Sequence, residues 1–402
     1  MATNEPITFI CLASEFKGED FLRGAHEAGS HVILVTEEKH RDKAWPWEAI
    51  NERFFMPDLS RYDDVIHGVS YLARTRHIQR IIAIDDYDVR LAAELREHLR
   101  LPGMGSSPAR YFRDKLAMRG KAAGSGLPVP SFVPVLNYDH INHFMATVSP
   151  PWVLKPRFEA GAVGINKVFQ ADEVWPLIHQ LGDDQSFYLL EQFIPGDVYH
   201  VDALVDGGEI IFMRVSKYAR PPLTVSHGGG VFVTRLLPPD AEDTQTLTAL
   251  TRQFLAATGF DCGATHTEFI RAADGRFYFL ETASRVGGAN IADMVAAGTG
   301  INLWREWARL EAAHAQGQPY TLPPVRDDYA GLLICLARQV TPDLSAYQEP
   351  EIVWRMNKPY HAGLIVVSAS YERVQTLLQQ FSERFAQDFL AIGQPKEAQR
   401  TT

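Results

Sequence analysis

Two strand-like runs, Thr265 to Ile270 and Phe277 to Glu281, flank the dipeptide Asp274-Gly275. Asp-Gly between such runs is among the strongest short-range signals for a β-hairpin, because a tight primed turn needs residues that tolerate positive φ. A two-residue turn at Asp274-Gly275 places Glu268 directly opposite Glu281 on one face of the ribbon. Facing Cβ atoms in such a pair lie about 5 Å apart, and like charges there repel. The pairing asks for positive charge between the carboxylates. A hard, oxygen-seeking cation such as Mg2+, which keeps several waters and binds substrate phosphates, meets that demand. A solvated strand pair with two unrelated acidic residues is the alternative for this motif alone, and a three-residue turn or a bulge would change the register.

Composition sets the frame. The 402 residues are 46% hydrophobic and 22% charged, an ordinary globular composition long enough for two to three domains. With a net charge of −10 and no lysine-rich tail, a nucleic-acid partner is not expected. No apolar run approaches the roughly 20 residues that span a bilayer, so no membrane partner is expected. The start, Met1 to Glu5, lacks the basic and apolar regions of a secretory signal. Cys11, Cys262 and Cys335 are scattered, which fits reduced thiols in a cytoplasmic protein and gives a zinc site no support.

Residues 7–100 alternate apolar runs (7–12, 31–36, 80–84) with amphipathic stretches (18–28, 62–75, 87–99). That alternation predicts βαβ units and a mainly parallel sheet. No Gly-x-Gly-x-x-Gly turn follows the first strand, which argues against a dinucleotide site. Asp85-Asp86, just after the third run, reads either as a substrate contact at the carboxyl edge of the sheet or, preferably, as a helix N-cap. Residues 101–108 form a Gly- and Pro-punctuated linker, followed by a helix through 110–123. Pro151 to Pro156 is an apolar strand holding Lys155, a costly place for an uncompensated charge. The glycines after it, Gly161 and Gly164, free backbone N–H groups to approach phosphates. The run His227-Gly228-Gly229-Gly230 reads as a substrate cover or, equally, a plain flexible hairpin loop. His266 shares a strand face with Glu268, where it contacts substrate or, more conservatively, serves as a hydrogen-bonded structural histidine. Helices are expected over 290–297, 302–315 and 371–386, and strands over 329–337 and 364–367.

The segment from Phe279 to Gly288, Phe-Leu-Glu-Thr-Ala-Ser-Arg-Val-Gly-Gly, resembles the Glu-x-Asn-x-Arg-x-Gly-Gly signature of the ATP-grasp superfamily. Four other stretches resemble that family in the same chain order. They are Asp114-Lys115, Lys155 with its glycine loop, Glu191-Gln192-Phe193-Ile194, and Glu268. The resemblance implies an α/β fold of ATP-grasp architecture: a βαβ domain over 1–104, a grasp domain over 105–318 with a lid at about 128–190, and a small α+β module over 319–402. It implies ATP and Mg2+, with Mn2+ as a substitute, held by Glu268 and Glu281. Lys115 and Lys155 then reach the phosphates under a lid carrying Gly161 and Gly164. The backbone of Glu191, Gln192, Phe193 and Ile194 meets adenine, and Asp197 takes the ribose. Arg285 faces the terminal phosphate or a phosphorylated intermediate. Position in the chain makes His227, Gly228 and Gly229 candidates to border the substrate, as its strand face does His266. Ala283 replaces the usual metal-binding Asn and leaves the number of metal ions open. The branch most resembled is the carboxylate–amine ligases, including amino-acid ligases. Its chemistry joins a small-molecule carboxylate and amine through an acyl phosphate, with a homodimer allowed by analogy. A small-molecule kinase, a carboxylase-type enzyme and a non-catalytic ATP-binding module are the alternatives.

Overall fold

The computed structural model describes residues 6–391 except 160 and 162; the side chains of Ser226 and His227 also lie outside the description. The first unit is a four-stranded sheet of β1 (Thr8–Ala13), β2 (His31–Glu37), β3 (Glu52–Met56) and β4 (Ile78–Ala83), in the order β3-β2-β1-β4. Its paired strands run parallel. Every residue of β1 is buried, because helices cover both faces. Phe9, Cys11 and Ala13 join one apolar cluster and Ile10 and Leu12 another. Continuous apolar runs are what a two-faced parallel sheet demands. The direction of winding changes between β1 and β4, which opens a crevice at their carboxyl ends.

The second sheet has four strands: β5 (Phe132–Pro134), β6 (Trp152–Pro156), β7 (Asn166–Val168) and β8 (Tyr188–Gln192), ordered β5-β8-β6-β7. Trp152, Leu154 and Leu190 pack on the helices Tyr138–Thr147 and Ala171–Leu181. By strand alternation the opposite face carries Val153, Lys155, Leu189 and Glu191.

The third sheet has eight strands. They are β9 (Gly196–Asp206), β10 (Glu209–Tyr218), β11 (Phe232–Leu236), β12 (Gly263–Ala272), β13 (Phe277–Ala283), β14 (Tyr329–Leu336), β15 (Ile352–Arg355) and β16 (His361–Ser368). The order is β13-β12-β9-β10-β11-β14-β16-β15. The C-terminal α+β segment joins the core through this sheet. β14 to β16 extend the central sheet through the β11–β14 ladder, while the helix Tyr371–Asp388 covers their own apolar cluster. Of the stretch His227–Gly230, read as a substrate cover or a plain loop, the first two residues end a short helix, Pro222–Gly228, and Gly229 and Gly230 follow it with φ 70° and 141°. Pro222 at its first turn supplies a helix-ready φ.

Candidate active site

The hairpin β12–β13 places Glu268 opposite Glu281, and its turn differs from expectation. Ala272 N donates to Arg276 O and Gly275 N to Ala272 O, so Ala273, Asp274 and Gly275 form a three-residue turn. Gly275 has φ 82°, the left-handed residue that such turns require. That turn alone would set Leu280 against Glu268. One extra residue in β13 at Leu280 shifts the ladder, and Glu281 comes into register. Two departures from a simple hairpin cancel.

Glu268 is held from below. The Tyr218 hydroxyl donates to Glu268 Oε1 at 2.8 Å, and His266 Nε2 lies 3.6 Å from the same oxygen. His266 Nδ1 pairs with Asp202 at 2.8 Å, and His200 Nδ1 pairs with the other Asp202 oxygen at 2.7 Å. His200 Nε2 meets the Thr234 hydroxyl at 2.8 Å. These groups are buried, and buried polar groups need such complete pairing. Burial opposes the charge on His266, but Asp202 and Glu268 together outweigh it and raise the imidazole to about 10. Burial likewise opposes the Asp202 carboxylate, yet the two histidines hold it well below the usual range. His266 thus has a hydrogen-bonded place beneath the carboxylate pair. Gly287 belongs to the same floor, since a Cβ there would lie 2.8 Å from His266 Nδ1.

Lys115 opens the helix Lys115–Gly124, capped by the Asp114 side chain. Its Nζ lies 3.2 Å from Glu281 and donates to Glu159 O in the loop after β6. Desolvation pushes the Glu281 carboxyl up, but Lys115 and Lys155 more than offset it and hold the group ionised. One turn along the helix, Arg119 is fully buried and donates to Glu191 at 2.5 Å. Lys155 donates to the other Glu191 oxygen at 2.7 Å. Burial lowers the Lys155 ammonium to about 8, with Arg119 and Lys115 adding to the fall and Glu191 opposing it. Glu191 turns its carboxylate inward, between Arg119 and Lys155. Gln192 N donates to Ser131 O and Phe193 N to Pro151 O, and the next N–H belongs to Ile194, before Pro195. Gly161 and Gly164 lie in the loop between β6 and β7 with φ 67° and 70°.

Arg285 reaches the crevice of the N-terminal sheet. Its Nε and Nη2 both donate to Asp86 Oδ2, the former at 2.8 Å. Asp86 is therefore an ion-pair partner rather than a helix cap. Its neighbour Asp85 pairs with Lys17 at 2.5 Å, and Asp88 takes both the N–H and the hydroxyl of Ser14.

Asp197 is a correction. In β9 it shares a face with Tyr199 and Val201, opposite to His200 and Asp202, and it pairs with Lys217 at 2.6 Å. The residue alternation of the strand removes it from the site; Val198 lies on the site face. The His227 side chain lies outside the described residues, and Gly228 and Gly229 end the helix after β10. Sequence reasoning missed Arg119, Asp202, His200 and Tyr218. Arg119 follows Lys115 by one helical turn, and His200 and Asp202 alternate inside an apolar run; both are signals of inward-facing polar groups.

Two facing carboxylates, one with 37% of its side chain open, beside two lysines suit a divalent hard cation carrying phosphate. Such a donor set, on one sheet and beside a lysine-bearing second sheet, is the chemistry of an α/β protein suited to phosphate-bearing ligands. Comparison with known proteins narrows the class. Residues 22–103 match the ATP-grasp N-terminal domain, and residues 148–293 match the ATP-grasp domain. The two matches together span more than half of the chain, which belongs to the ATP-grasp family. It is 27% identical over 232 residues to the L-arginine-specific L-amino acid ligase of Bacillus subtilis, covering 56% of this chain and 55% of that one. The match thus spans about half the length of that relative. A D-alanine–D-alanine ligase of Marinobacter nauticus is 30% identical over 93 residues, or 23% of this chain and 29% of that one. The crystal structure of an L-amino acid ligase from Bacillus licheniformis superposes with a TM-score of 0.75 at 17% identity, covering 98% of this chain and 100% of that one. Phosphoribosylglycinamide synthetase from Anaerococcus prevotii gives 0.69 at 15%, with 97% and 100% covered. These structural likenesses show the fold. Among the described residues no helix is long and apolar enough to cross a membrane.

Proposed function

We propose that the protein is an ATP-dependent carboxylate–amine ligase acting on an amino acid or related small carboxylate, releasing ADP and phosphate. The observation that carries this reading is the grouping of two lysines, Lys115 and Lys155, around the carboxylate pair Glu268 and Glu281, with Arg285 paired to Asp86 of the N-terminal unit. The named ligases among the relatives support it.

Each group has a task set by charge. Attack of a substrate carboxylate on the γ-phosphorus of ATP brings two anions together and gives an acyl phosphate and ADP. Lys115 and Lys155 offset phosphate charge and align the chain, which is catalysis by positioning and electrostatics. Glu268 and Glu281 would hold Mg2+ or Mn2+, and the bound ion supplies charge neutralisation along the phosphates. The guanidinium of Arg285 suits a phosphoryl group because it offers paired, charge-assisted donors. The N–H of Ile194 would meet adenine. The β6–β7 loop with Gly161 and Gly164 covers the phosphates and keeps water from the acyl phosphate. An amine then displaces phosphate and forms the amide.

The test is ADP release with pairs of amino acids, with and without hydroxylamine to trap an activated carboxyl. Hydroxamate with ADP is the expected result; AMP and pyrophosphate would overturn the scheme. Glu281→Ala should abolish turnover in a folded protein, and Lys155→Ala should weaken ATP binding.

A further inference from the structure

We propose that Arg119 is a positioning residue that fixes the register of β13 and so brings Glu281 opposite Glu268; this rests on the metal-site reading of that pair. The three-residue turn feeds a ladder in which Phe269 faces Phe279. Continued without interruption, that ladder would put Leu280 opposite Glu268 and turn Glu281 toward the apolar face of Phe269 and Phe279. The bulge at Leu280 prevents this, and a bulge is paired less completely than the ladder around it. Arg119 Nη1 donates to the Leu280 carbonyl, the backbone group at the bulge itself. The clamp is rigid: Arg119 is fully buried, its Nε is 2.5 Å from Glu191, and its guanidinium stands 5.8 Å from the Phe279 ring centre. A planar guanidinium sends its donors in fixed directions, which a lysine cannot reproduce. Beyond the bulge, the hydroxyls of Thr267 and Thr282 meet at 2.8 Å and hold the shifted register. Lys115, on the same helix face, reaches Glu281, the next residue along. One helix thus fixes two successive positions of the acidic strand. Without Arg119 the strand end frays or loses its bulge, and either outcome moves Glu281 away from Glu268.

The register gives the proposal its own rescue. Deleting Leu280 leaves an unbulged ladder in which Glu281 again faces Glu268, with no carbonyl for Arg119 to hold. Mn2+ binding, read by the EPR signal of the free ion in the presence of a non-hydrolysable ATP analogue, is the measurement. Arg119→Met should weaken Mn2+ binding by about tenfold or more, the scale of losing a group behind a metal ligand. Arg119→Met combined with the Leu280 deletion should restore it, and the deletion alone should bind Mn2+ as the unaltered protein does. Unchanged binding in Arg119→Met, or no restoration in the double variant, overturns the proposal. If Arg119→Met does not fold, the deletion alone decides: retained affinity supports the register role, and loss by any route overturns it. The metal-site reading fails separately, if Glu268→Gln and Glu281→Gln leave Mn2+ binding unchanged in the otherwise unaltered chain.

Discussion

Asp88 lies under the first βα turn, where Ser14 gives it both an N–H at 2.8 Å and a hydroxyl. Burial, reinforced by the neighbouring Asp85, raises its carboxyl from 3.8 to about 7. Between those values the folded chain holds a proton that the unfolded chain has released. This contribution to stability is therefore complete in acid and is lost as the pH rises through about 7. Asp88→Asn imitates the protonated acid. Thermal melts should show the variant more stable than the parent at pH 8, with a flatter dependence on pH between 4 and 7. Equal slopes for the two proteins would mean that Asp88 is ionised throughout.

Elements show what the sequence discloses and where it stops. Apolar runs mark β1, β2 and β4 to within about two residues, because strands buried on both faces leave no ambiguity in their pattern. β3 escapes that reading: Glu52 to Met56 is only partly buried at the sheet edge, so its pattern is weak. The pairing of Glu268 with Glu281 follows from a two-residue turn that the chain does not make, since Leu280 restores what the longer turn displaces. Bulges leave no local mark in a sequence, and the partner that fixes this one lies far away, at Arg119. Asp197 failed for a different reason: its side depends on the register of β9, which neighbouring strands decide. Asp114 interrupts the helix expected over 110–123, which begins only at Lys115 after a separate turn at Arg110–Phe112. It caps the helix Lys115–Gly124 through the Leu116 N–H at 3.0 Å, and it also pairs with Arg157 after β6. Asp114→Asn keeps a capping oxygen and loses the ion pair, whereas Asp114→Ala loses both. Denaturant melts should place the alanine variant lower by about 1 kcal/mol, the usual value of a cap.

At the scale of the molecule, the N-terminal sheet is tied to the signature segment rather than appended to it. The helix Leu303–Gln316, which follows the signature segment, packs on the helix Glu19–Glu27 so closely that a Cβ at Gly24 would lie 2.9 Å from Arg305 Cα. Asp86 then meets Arg285 across that junction. Asp86→Asn keeps the shape and removes the charge that orients the guanidinium. Catalytic efficiency should fall with ATP affinity, measured by calorimetry, nearly unchanged, because Lys115 and Lys155 are untouched. A matching loss of ATP affinity would show that the pair supports the whole cleft instead. The shared sheet carries a further consequence. Strand β11 is covered on its far edge only by β14, so a chain cut after residue 318 would bare the backbone of Phe232–Leu236 as an open template for other copies. Such a fragment should sediment as aggregate while the intact chain stays dispersed, and the remedy would be a charge planted on the bared edge, not a shorter cut.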